Sequence, residues 1–100
     1  MPDSEKNYRK FYMKPAIREW ITQYNEKALM PDGFDDAFVG IAERCGQEPV
    51  LVYDRQKCVN ILQSQDMTEE EAVEFFEYNT LGSWVGDNTP VFITLMRDPE

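Results

Sequence analysis

Histidine is missing from this 100-residue chain altogether. That removes the Ser-His-Asp and Cys-His centres, the HExxH zinc site and most general bases that work near neutral pH. Cysteine is scarce. Cys45 and Cys58 stand thirteen residues apart, in no CxxC pattern, and two thiols alone cannot make a structural zinc site. Both fall on what read as apolar helix faces, so two buried, reduced thiols are expected. Neither GxxxxGK[ST] nor GxGxxG occurs, so no phosphate cradle can be argued. No apolar run approaches the roughly 20 residues that span a bilayer, and no signal-peptide pattern precedes the domain. A cytoplasmic location is the expectation.

Basic residues are also few, ten against nineteen acidic ones, for a net charge of −9. Their placement is uneven. Residues 1–18 carry five basic and two acidic side chains, a net of +3, and the remainder carries −12. Such asymmetry marks an arm for an acidic partner, or one that lies on the protein's own acidic surface. The hydrophobic share of 42%, with thirteen aromatic residues, is that of a folded chain. At this length about two-thirds of the unfolded surface can be buried, enough for one core. The organisation expected is a basic aromatic arm over residues 1–14 and a single globular domain over 15–100.

The chain punctuates itself clearly. Pro15 suits the first position of a helix, and Ile17, Trp20, Ile21, Tyr24 and Ala28 then repeat at helical spacing as far as Pro31-Asp32-Gly33. Asp35 reads as the cap of a second helix, with Phe34 stapled onto Val39, Phe38, Ile41, Ala42 and Cys45 buried, and Gly46 closing it. Val50 to Tyr53 is a short apolar strand. Asp54 caps a third helix with Cys58, Val59, Ile61 and Leu62 inside. Thr68 and Glu71 form a capping box for a fourth, whose first turn is favoured by Glu69, Glu70 and Glu71 near the positive end of the dipole. Gly82 reads as a left-handed stop, and Val91 to Leu95 as a second strand. The fold class expected is therefore α+β, four helices packed on a small two-stranded sheet in the order α-α-β-α-α-β, with antiparallel strands favoured.

Carboxylates are the abundant functional group. Glu70, Glu74 and Glu77 recur at i, i+4 and i+7 on one helix face. A magnesium site would need such groups to converge, but a solvated face has the same pattern, and no metal or cofactor is expected. Asp32, Asp35 and Asp36 read as turn and capping residues and do not fit the EF-hand spacing. Evenly spaced acids can also imitate DNA phosphates, although a basic arm argues against a pure mimic. The opposite signal is the arm itself, where Lys6, Arg9, Lys10, Tyr12, Lys14 and Arg18 interleave rings with cations as single-strand binders do; the acidic net field disfavours it. Tyr78, Asn79 and Trp84 follow the acidic helix. The Trp84 ring is expected to anchor its loop on the core, with an exposed partner contact as the alternative.

As a set, FDDAFVGIAERCG, VLVYD, DMTEEEAVEFFEYN and GSWVGDNTP running into VFI resemble a family of small, uncharacterised tailed-bacteriophage proteins. The resemblance covers residues 34–93, and residues 1–33 add little to it. It implies a host cytoplasm and action by binding, and it supplies no catalytic residues. The functional expectation is a non-enzymatic protein that binds another protein, such as a host factor, through Glu70, Glu74, Glu77, Tyr78, Asn79 and Trp84. A nucleic-acid-associated protein or acidic DNA mimic is the alternative, and self-association stays open.

Overall fold

The computed structural model describes residues 8–9 and 15–96. Strand β1 (Tyr8–Arg9) pairs antiparallel with β2 (Met30–Pro31), on either side of helix α1 (Pro15–Thr22). A short 3-10 turn (Asp35–Ala37) leads into β3 (Phe38–Arg44) and β4 (Gln47–Asp54). Helices α2 (Arg55–Gln63) and α3 (Glu69–Phe75) follow, then a π turn (Phe76–Leu81) and β5 (Val91–Ile93). The main sheet has the order β3-β4-β5, with β3 antiparallel and β5 parallel to β4.

The class is α+β, but four helices on a two-stranded sheet is not the architecture. Among the described residues there are three α-helices and a three-stranded mixed sheet. The second expected helix is in fact strand β3, and the reason lies in its register. Phe38 pairs with Tyr53, Gly40 with Val52 and Ile41 with Leu51, so one extra residue bulges out of β3. That bulge puts Phe38 and Ile41 on the same face although they are three apart, which imitates helical spacing. Cys45 and Gly46 form a two-residue turn between paired Arg44 and Gln47, with Gly46 at φ +78°. Cys45 is thus exposed on a hairpin tip rather than buried, and Val39 points out rather than stapling Phe34.

The first helix also ends earlier than its stripe suggests. Asn25 lies one turn beyond Ile21, and its Oδ1 accepts from the Lys27 N–H at 3.0 Å. A side chain that bonds its own following backbone offers the chain a turn in place of further helix. The apolar stripe continues past it because Ala28 and Met30 are buried in the same core, from a loop and a strand.

The two helix caps at Asp54 and Thr68 act as read. Asp54 Oδ1 accepts from the N–H groups of Gln56 and Lys57, at 2.9 and 3.3 Å. Thr68 and Glu71 exchange both bonds of the capping box, at 2.9 and 3.2 Å. The Thr68 N–H, and then the Thr68 hydroxyl, hold the Glu71 carboxyl below its ordinary range. The favoured antiparallel pairing of the second strand is overturned. α2 and α3 together form a crossover long enough to return β5 parallel to β4.

Cross-strand partners share a face of a sheet. Phe38, Tyr53 and Phe92 form one row and Ile41 with Leu51 another, and this face meets Cys58, Val59, Leu62, Ala72 and Phe76 in the core. Gly40, Val52 and Val91, with Ala42 and Val50, lie on the other face.

Burial, and then the neighbouring Asp54 carboxylate, pushes the Cys58 thiol up to about 12. Burial likewise raises Tyr53, with Asp35 and Cys58 adding to it. The folded state therefore holds these protons more tightly than the unfolded chain does. Their contribution is complete below the ordinary thiol value of 9.0 and is lost as pH rises toward about 12. Unfolding free energies measured by denaturant titration across pH 8–12 should be flat at first and then fall, by at most about 1.4 kcal/mol per pH unit for each proton. A thiol reagent at pH 8 should modify one cysteine, Cys45, at once and Cys58 only with denaturant. Two fast thiols would overturn this burial.

Candidate protein-binding groove

The site is best built from the end of the acidic helix. After Phe75 the backbone loosens into the π turn, and the Gly82 N–H donates to the Glu77 carbonyl at 2.9 Å. A Cβ on residue 82 would meet that oxygen at 2.9 Å and the Tyr78 carbonyl at 3.1 Å, so only glycine fits. Its φ of −76° is right-handed, so the expected left-handed stop is not what Gly82 provides. Close approach is what it provides. Ser83 is buried and its Oγ donates to the Asn79 carbonyl at 2.7 Å, which turns the chain outward at Trp84.

Residues 84–90 then close on themselves. The Val85 N–H donates to Thr89 Oγ1 at 3.0 Å, and that hydroxyl donates to the Gly86 carbonyl at 2.6 Å. A buried side chain ties the loop to the rest of the protein. Asn25 is 4% exposed; its Nδ2 donates to the Pro49 carbonyl on β4 and to Asn88 Oδ1 in the loop, each at 2.9 Å. The Leu29 N–H adds a bond to the Asn88 carbonyl at 3.1 Å.

Between the β3–β4 hairpin and this loop runs a groove of about 440 Å³. Ala42, Val50 and Thr89 line it half-buried, and Glu43, Arg44, Glu48, Trp84 and Asp87 line it exposed. The Trp84 side chain does not anchor the loop on the core; it is 71% exposed. Asn25, between Pro49 and Asn88, fixes the two walls relative to each other.

The acidic helix is arranged differently from its reading as one triad. Glu70 and Glu74 are exposed on α3, whereas Glu77 lies on the π turn and pairs with Arg55 at 3.1 Å. Arg55 also lies 5.1 Å over the Phe76 ring. Among the described residues no three carboxylates or thiols are placed to hold a metal ion. Tyr78 is 61% exposed and Asn79 half-buried, each at the end of the chain segment that leads to Trp84. Of the basic set, Lys6, Lys10, Tyr12 and Lys14 lie outside the described residues. The Arg9 backbone is in β1, and Arg18 is exposed on α1.

A second depression, about 450 Å³, lies where β4 and β5 end and α2 begins. Ligands favour that position in parallel sheets. Here the Asp54 carboxylate already accepts from the first α2 amides, and Gln56 Nε2 donates to Asn60 Oδ1 at 3.0 Å. Reading Phe38 to Cys45 as a helix hid Glu43, Arg44 and Glu48 from the sequence-level candidates. The hairpin signal that could have found them is turn residue Gly46 between two alternating β-branched pairs, Val39 with Ile41 and Val50 with Val52. Comparison with protein-family models, curated proteins and solved structures found no match.

Replacing Asn25 with alanine should leave the Pro49 carbonyl and Asn88 side chain without their shared donor. A loss of about 2 kcal/mol in urea unfolding is expected, with faster hydrogen exchange at the Leu29 amide. Unchanged stability and exchange would show that the walls hold without it.

Proposed function

We propose that this chain acts by binding another protein and catalyses no reaction. The observation that carries the reading is the exposed Trp84 ring, 71% accessible, on a loop pinned through buried Asn25. A large aromatic side chain held out on an ordered loop is the kind of residue that anchors interfaces. Tyr78 and Leu81, 61% and 47% exposed, add apolar surface on the turn that precedes it. Glu70 and Glu74 supply charge on the same chain segment, and Asn79 supports the loop through its carbonyl. The chain's lack of histidine supports a non-catalytic role.

The resemblance of residues 34–93 to small tailed-phage proteins supports a bacterial host cytoplasm as the setting and a host protein as the partner. Among the described residues no helix is long and apolar enough to cross a membrane.

Trp84→Ala should leave folding stability within about 0.5 kcal/mol, because the ring is mostly in solvent. Immobilised wild-type protein should retain a stoichiometric partner from bacterial lysate, and the Trp84→Ala protein should not. Retention of nothing by the wild type, or equal retention by both, would remove Trp84 as the anchor.

A further inference from the structure

The chemistry of the groove says more about its occupant than the exposed ring alone. Four charged side chains line it: Glu43, Glu48 and Asp87 against Arg44, a local net of −2. They flank Trp84, whose ring face attracts cations. Apolar Val50 and half-buried Ala42 lie beside them. Glu43 and Glu48 come from the two strands of the hairpin, and Asp87 from the loop opposite. The acids therefore stand on both walls rather than along one solvated helix face.

We propose that this groove receives a basic segment of the partner protein, with a lysine or arginine head placed against Trp84 between the two acidic walls. The inference rests on the protein-binding reading above and adds the chemistry of the partner. A cation there meets the ring and opposite charge together, while its methylene stem covers the apolar lining. An acidic or a purely apolar segment would leave the three carboxylates facing a like charge or hydrocarbon. Asn25 makes the site ready-made, since both walls are held before anything binds.

The test uses the full chain and a fluorescein-labelled peptide of alternating arginine and valine, with an aspartate-valine peptide as control. Anisotropy titration at about 0.15 M salt keeps distant charges screened. Saturable binding of the arginine peptide alone is expected. Glu43→Lys combined with Asp87→Lys, and separately Trp84→Ala, should each weaken it by about tenfold or more. Glu19→Lys with Glu69→Lys makes the same change in net charge at residues that do not line the groove and should leave Kd unchanged. All four reversed positions are exposed, and thermal unfolding of each variant verifies its fold.

No saturable binding, or equal weakening by both reversals, overturns the proposal; the second result would mean attraction to net charge only. If light scattering shows a dimer that the Glu43→Lys, Asp87→Lys protein cannot form, the occupant is the basic arm of a second copy and the partner-protein assignment fails. A lysate partner lost with Trp84→Ala but kept by the groove reversal would defeat this inference while leaving the protein-binding reading intact.

Discussion

Tyr53 stands at the centre of a line of rings that crosses the sheet, and the remaining structure depends on that line. Its ring is 5.7 Å from Phe38 on β3 and 6.0 Å from Phe92 on β5. Phe92 meets Phe76 edge-on at 5.1 Å, and Phe38 meets Trp20 of α1 at 6.3 Å. Each such pair adds about 0.5–1.5 kcal/mol beyond the area it buries. One row of side chains thus joins α1, three strands and the π turn. The cost is visible at its middle. The Tyr53 hydroxyl is buried with no hydrogen-bond partner among the described residues. A buried donor in that state costs on the order of 1–3 kcal/mol, which the surrounding rings must outweigh.

The ring line also decides which face of the sheet is spent on the core. Because Phe38, Tyr53 and Phe92 all turn toward α2 and the π turn, their neighbours Val52 and Val91, with Ala42 and Val50, must turn the other way. Among the described residues, no helix residue lines the hairpin end of that second face. A closed loop, residues 84–90, lies along it instead and leaves a groove at its margin. The groove therefore follows from which face of the sheet the core uses.

Short-range chemistry was legible in the residues; long-range pairing was not. Asp54 over Gln56 and Lys57, and Thr68 with Glu71, satisfy backbone groups within one turn, so their spacing alone identifies them. The β3 segment misled because its bulge, set by pairing with Tyr53 and Leu51, moves the face by one residue. Nothing within Phe38 to Cys45 reveals a register that the partner strand imposes. The same limit hid most of the groove. Trp84 was visible as a residue of interest, but Glu43, Glu48 and Asp87 become neighbours only once the hairpin and the loop are side by side.

Asn25 shows how one local choice acts on both levels. Its carbonyl oxygen is used on the Lys27 amide, which ends the α1 direction of the chain. Its amide nitrogen is thereby left as a donor pointing into a buried space, where it serves the Pro49 carbonyl and the Asn88 side chain. Leucine at this position would extend the apolar stripe and favour more helix, but it would supply no donor to either wall. The residue that turns the chain after α1 is the same residue that holds Trp84's loop against the hairpin. The turn after α1 and the groove geometry are thus served together, by the two ends of a single side-chain amide.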